Sequence, residues 1–208
     1  MKMLRVESIG EAWIKSCDII LKEGVNIKDG SEGLKEVMHL IIEITKPDEK
    51  DEIIEKHGNK KMIEWMLSNF FQKLTIRELG NAKSYRSRLF DYKGKNQIEW
   101  VVKKLKRKPE SKSATISLLI PNEDESYIPC VSLLDFKIRN NKLVLTTLCR
   151  SIDFGSKAFA NLIALAKLQK LVAGELGVQK GEMIFHVVSA HIYEKDVERV
   201  KQILKGEG

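Results

Sequence analysis

Apolar residues recur at helical spacing between Val6 and Lys22 (Ile9, Trp13, Ile14, Cys17, Ile20, Leu21), and Gly24 stands where a helix stop belongs, so this stretch predicts a helix packed on a core. Val25 to Gly33 reads as turn-rich. Leu34 to Thr45 carries an apolar run, Met38 to Ile44, that ends before Pro47 and predicts a strand. A charged connector follows from Pro47 to about Lys61, and helical spacing returns over Met62 to Leu74. Tyr85 to Tyr92 reads as an irregular segment leading into a helix over Gln97 to Leu105, with Ile98, Val101, Val102 and Leu105 inward. Ala114 to Ile120 predicts a strand halted by Pro121.

The second half is patterned more strongly. Val131 to Ile138 and Leu143 to Cys149 are β-rich runs flanking the polar turn Arg139-Asn140-Asn141-Lys142, which predicts a hairpin. With Ile138 opposite Leu143, the same register brings Cys130 beside Arg150 and Ser151. Ala158 to Leu176 is the strongest helix of the chain, ended by Gly177. Met183 to Tyr193 predicts a strand that delivers His191 and Tyr193, two residues apart, to one face. A final amphipathic helix spans Glu194 to Leu204. The chain has no internal repeat, low-complexity tract or Gly-rich phosphate loop.

A length of 208 residues suits one large domain, taken here as 1–208, and a single α+β enzyme-sized fold. Three widely spaced cysteines, none in a CxxC pair, indicate neither a disulfide framework nor a metal site and point to a reducing, cytoplasmic setting. The apolar residues behind Met1 are broken by Glu7, Glu11, Lys15 and Asp18, which argues against a signal peptide, and no segment approaches membrane-spanning length. The formal charge of +7, densest at residues 103–108, suits an anionic partner such as RNA. A solvated basic face at a helix C-terminus is the favoured reading of that run.

Candidate chemistry centres on Cys130. A thiol held near the Arg150 cation is favoured as thiolate, the form a cysteine nucleophile requires; the bland alternative is a small buried hydrophobe. Asn161, among apolar neighbours, must find hydrogen-bond partners if buried, either a ligand edge or a loop. His191 and Tyr193 admit a plain reading as a satisfied structural pair.

The ordered set Pro129-Cys130, Arg150-Ser151-Ile152-Asp153, Asn161 and His191-Ile192-Tyr193 resembles the thymidylate synthase family, specifically its shorter archaeal-type members. The resemblance covers Tyr85 to Leu204 best. It implies a large twisted mixed sheet with packed helices, and reductive methylation of deoxyuridylate (dUMP) at C5. Cys130 would attack C6, and the one-carbon unit would come from a reduced pterin cosubstrate, a methylene-tetrahydrofolate or methylene-tetrahydromethanopterin type of carrier, with no metal. By the same resemblance Arg150 and Ser151 hold the phosphate, Asn161 reads the pyrimidine edge, His191 and Tyr193 bind the ribose hydroxyl, Asp153 contacts the pterin, and Tyr85 belongs to the proton-handling network. Glu43 and Glu64 are candidates for the family's catalytic glutamate. A homodimer is implied by analogy and a monomer stays open.

Several positions depart from the family pattern. Arg86 stands where the family has glycine, Lys112 and Ser113 where it has the paired arginines lent to a dimer partner, Val131 where histidine usually follows the nucleophile, and Cys149 where glutamine usually precedes the arginine. Two further readings therefore stay in view: a pyrimidine nucleotide C5-hydroxymethylase, and a non-catalytic nucleotide- or RNA-binding homologue.

Overall fold

The computed structural model describes residues 1–125 and 127–207. In chain order the elements are β1 (Lys2–Val6), α1 (Ile9–Glu23), β2 (Val25–Asp29), β3 (Glu32–Ile44), α2 (Glu52–His57), α3 (Lys60–Phe71), β4 (Thr75–Ile76), β5 (Ala82–Lys83), α4 (Tyr85–Phe90), α5 (Gln97–Arg107), β6 (Thr115–Ser117), β7 (Val131–Arg139), β8 (Lys142–Asp153), α6 (Ala158–Leu176), β9 (Gln179–Tyr193) and α7 (Glu194–Lys205). A seven-stranded sheet runs in the order β1-β3-β9-β8-β7-β6, with β2 also paired to β3; β4 and β5 form a separate two-stranded ribbon. β1 is parallel to β3 and β8 to β9, and the remaining pairs are antiparallel, so the sheet is mixed. Helices packed on this sheet complete the expected α+β architecture. No helix among the described residues is long and apolar enough to cross a membrane.

The predicted hairpin forms in the predicted register, Ile138 opposite Leu143. α6 is apolar around most of its circumference because it lies between the sheet and the helices α1, α3 and α5. Its fully buried amide Gln169 is held by donating to the carbonyls of Leu143 (2.7 Å) and Gly181 (3.1 Å). Gly177 ends the helix in the left-handed conformation (φ 68°), which glycine adopts without steric cost.

Three expectations need correction, and one strand has no sequence signal. β1, an edge strand of five residues, escaped the periodicity argument because its alternation is too short to register. The turn-rich stretch is a hairpin: β2 pairs with the start of β3 around Gly30 at φ 60°, a Gly-first tight turn. The charged connector contains α2, begun by the Asp51 carboxylate accepting from the Ile54 N–H, and the irregular segment contains α4, begun by Ser84 accepting from the Ser87 N–H. Helices of six residues offer too few turns for an apolar stripe, so capping rather than periodicity marks them.

α4 supplies a buried cation. The Arg88 side chain is 2% exposed and forks onto Asp124, itself 10% exposed, through bonds of 2.6 and 2.8 Å. It also donates to the carbonyls of Leu118 (2.6 Å) and Lys83 (3.1 Å), while Asp124 accepts from the Ile120 N–H at 2.7 Å. The ion pair ties down the loop between β6 and β7, the loop that delivers Cys130.

The sheet has a seam. Buried positions on a strand normally fall every second residue. In β9 they step by three from Val187 to Ala190, in β3 from Val37 to Leu40, and in β8 from Cys149 to Ile152. The slips lie side by side, since Met38 pairs with Ser189 and Ser189 with Ser151. At the seam His39 holds φ 56°, uncommon for an L residue inside a strand, and the β7 ladder shifts register between Val131 and Leu133.

Candidate active site

A cavity of about 420 Å³ opens beyond the seam. Seven residues singled out in the sequence line it: Cys130, Arg150, Ser151, Asp153, Asn161, His191 and Tyr193. The seam explains how one strand serves both core and cavity. Met183, Phe185 and Val187 of β9 pack in the core, and simple alternation would send Ser189, His191 and Tyr193 after them; the slip puts Ala190 and Ile192 in the core instead.

Cys130 sits at the mouth of β7, where its carbonyl accepts from the Arg150 N–H at 2.9 Å, so the backbone continues the hairpin pairing. The Ser151 hydroxyl lies 3.7 Å from the Cys130 sulfur as donor, and Arg150 Nη1 donates to that hydroxyl at 3.1 Å. The guanidinium is anchored on the Ile128 carbonyl at 2.6 and 3.2 Å. The arginine therefore reaches the thiol through Ser151, a relay rather than the direct ion pair that spacing alone suggests. Cys17 and Cys149 are fully buried, and burial pushes both thiols up, out of reach of ionisation at neutral pH. Cys130 alone of the three is partly exposed.

Asn161, in the first turn of α6, also lines the cavity. Its Nδ2 donates to the Lys157 carbonyl at 3.1 Å, while its buried Oδ1 has no partner among the described residues. A buried acceptor left open on a cavity wall is available to a donor from water or a bound molecule. His191 Nδ1 lies 3.4 Å from Ser189 Oγ, and its ring meets Tyr193 edge-on at 5.2 Å. The Tyr193 hydroxyl donates to Asp29 at 2.9 Å; burial first, then that carboxylate, push the phenol up to about 12, so it stays protonated. Asp153 accepts from the Ser156 N–H at 3.1 Å and from the Ser156 hydroxyl, a local turn that leads into α6.

Residues 31–207 match the family model described as thymidylate synthase. The chain belongs to the thymidylate synthase family. It is 36% identical to a Methanosarcina mazei protein provisionally named a thymidylate synthase, over 99% of this chain and 95% of that one. A similarly named Methanothermobacter thermautotrophicus protein is 32% identical over 97% of this chain and 98% of its own. The thymidylate synthase of Fusobacterium nucleatum is 29% identical over 72% of this chain and 52% of its own length.

Membership in the thymidylate synthase family points to one-carbon transfer and directs attention to two further groups. Tyr85 does not line the cavity. It stands behind Cys130, 5% exposed, its ring 4.4 Å from that of Phe70 and its hydroxyl oxygen accepting from the Val131 N–H at 3.0 Å. Burial above all, then the neighbouring Cys130, pushes its phenol well above the usual range, so it remains neutral. Tyr85→Phe leaves the Val131 N–H unpaired in a buried place; a loss of about 1–3 kcal/mol of stability is expected in urea unfolding. A variant as stable as the parent would show that the bond contributes nothing.

The two carboxylates offered for the thymidylate synthase glutamate are not in the site. Glu43 pairs with Arg5 at 3.2 Å where β3 meets β1, and Glu64 is exposed on α3; neither lines the cavity. The carboxylates that do line it are Asp29, Glu36 and Asp153, and the Ser189 hydroxyl donates to Glu36. Lys28 and Lys157 also reach it. Asp29 and Lys28 escape notice because Val25 to Gly33 reads as turn-rich, and Glu36 because the strand reading does not say which of its side chains meet a cavity; the Asp29-Gly30 pair ahead of an alternating run is the signal available.

Proposed function

We propose that this chain converts deoxyuridylate to thymidylate, with Cys130 as nucleophile and a reduced pterin as one-carbon cosubstrate. The observation that carries the reading is the relay Arg150–Ser151–Cys130 opening on a cavity that is also lined by Asn161, whose Oδ1 has no partner among the described residues. The Cys130 thiolate adds to C6 of the uracil, and the electron pair moves toward O4, leaving C5 nucleophilic. The carrier supplies the one-carbon unit and then a hydride. Loss of the C5 proton releases the carrier amine and leaves an exocyclic methylene at C5, and hydride addition to that carbon expels the Cys130 sulfur and restores the pyrimidine.

The other cavity residues suit this substrate. Arg150 offers a forked donor and Ser151 a hydroxyl to the phosphate, and Lys28 and Lys157 add positive charge. Asn161 matches uracil: Oδ1 accepts from N3–H, and the second Nδ2 proton goes to O4. His191 and the protonated Tyr193 bind the ribose hydroxyl in this reading, and Asp153 is the residue offered to the pterin.

The direct test is to incubate the chain with dUMP and either a methylene-loaded folate or methanopterin, and weigh the product. A methylated nucleotide supports the proposal; a hydroxymethylated one would mean that water, not hydride, ends the reaction. No product with either carrier, despite nucleotide binding, would favour the non-catalytic reading. Asn161→Asp provides a second check. It is expected to lower kcat/KM for dUMP and raise it for the cytosine nucleotide, moving their ratio by about 1.4–2.8 kcal/mol, or roughly ten- to a hundredfold. Unchanged discrimination would remove Asn161 from base reading.

A further inference from the structure

We propose that His39 and His186 form a two-imidazole chelating site for a divalent transition-metal ion, on the sheet away from the cavity. His39 Nδ1 and His186 Nε2 lie 3.1 Å apart, with ring centroids at 5.3 Å and planes at 42°. Two metal–nitrogen bonds of about 2.0–2.1 Å meeting at roughly 100° place their nitrogens about 3.1 Å apart, so the pair already holds the bite a metal needs. Both rings present to the outside: His39 is exposed and His186 half-buried. They reach each other diagonally across β3 and β9, since His186 pairs with Ile41, two residues beyond His39.

The backbone at His39 strengthens the case. It takes φ 56° in the interior of a strand, a conformation disfavoured for any residue with a Cβ, and this turn directs the imidazole toward β9 at the seam. With both rings neutral, one N–H donates to the other ring's lone pair. Metal binding moves that proton to the donor ring's remaining nitrogen, freeing both lone pairs without net proton release. No group of three or more His, Cys, Asp or Glu ligands gathers among the described residues, so water completes the coordination sphere and the affinity is modest. Imidazole donors suit Cu²⁺, Ni²⁺ and Zn²⁺, with Cu²⁺ held most tightly. A bound ion would staple β3 to β9 at the seam.

Nickel chloride is the probe, titrated calorimetrically into untagged chain carrying Cys130→Ser so that the exposed thiol cannot compete. His39→Asn keeps a residue that tolerates positive φ, His186→Thr keeps a strand-forming one, and His57→Gln serves as control, because His57 bonds Glu207 at 2.8 Å elsewhere. The expected result is one Ni²⁺ per chain, at least about tenfold weaker in each of the first two variants and unchanged in the control, with Ni²⁺ raising the melting temperature only where both histidines remain. Absence of binding at millimolar Ni²⁺ would overturn the site. So would an affinity that survives either single replacement, since a chelate needs both rings. Methyl transfer is measured separately and stands or falls on its own.

Discussion

Cys130→Ser is expected to abolish tritium release from C5-tritiated deoxyuridylate, by at least about a thousandfold, while the melting temperature and nucleotide binding stay close to those of the parent. Exchange at C5 requires prior attack at C6, so the assay reads the sulfur–carbon bond without depending on the carrier's later hydride. Serine keeps the size of the side chain and the contact with the Ser151 hydroxyl, which is why the fold survives. Its hydroxyl is far less acidic than a thiol, and the donors around it, a serine hydroxyl backed by a guanidinium, stabilise an anion without providing a base to make one. The remaining thiols cannot substitute, because both are buried. Tritium release retained in the variant would end the role given to Cys130.

Arg88→Met carries the largest expected effect on stability, a loss of about 3–5 kcal/mol at neutral pH, read from denaturant unfolding. The change strands the Asp124 carboxylate with only the Ile120 N–H at 2.7 Å and removes the donors to Leu118 and Lys83. The effect depends on pH with a definite sign. Burial alone would raise the Asp124 carboxyl, but the Arg88 hydrogen bonds and charge and the Ile120 N–H outweigh it and hold the group below its ordinary value. A carboxyl lowered in the folded state contributes stability that is full above its unfolded value, about 3.9, and is lost as pH falls through the folded value. The penalty of Arg88→Met should therefore shrink under acid conditions below about pH 4. Arg88→Met/Asp124→Leu should recover part of the loss, since it removes the stranded charge. A single-variant penalty that does not change with pH would show that the ion pair is not its source.

Legibility in the sequence followed length and repetition. α6, the β7–β8 hairpin and the strand carrying His191 were readable because each presents enough apolar positions, or a marked turn, to fix both type and register. The Cys130–Arg150–Ser151 neighbourhood followed from that register alone. The six-residue helices and the five-residue edge strand were not, because capping bonds and pairing across the sheet, rather than their own periodicity, hold them. Asp29 and Glu36 were invisible for a related reason: they enter the cavity only through a hairpin whose pairing partner, the end of β9, lies some 160 positions away. The relay through Ser151 was equally out of reach, since it depends on which way a guanidinium turns.

The seam sets how this sheet can change over generations. Residues on either side of it obey opposite rules of parity, so a one-residue insertion or deletion in β9 between Phe185 and His191 would carry His191 out of the cavity and into the core. The same change in β3 or β8 would break step with its neighbours, because their slips lie side by side. Substitutions can accumulate singly here, but a change of length cannot: it would have to arise in several strands at once. Divergence within this part of the molecule is thereby channelled into side-chain identity, and gains and losses of residues are pushed out to the loops.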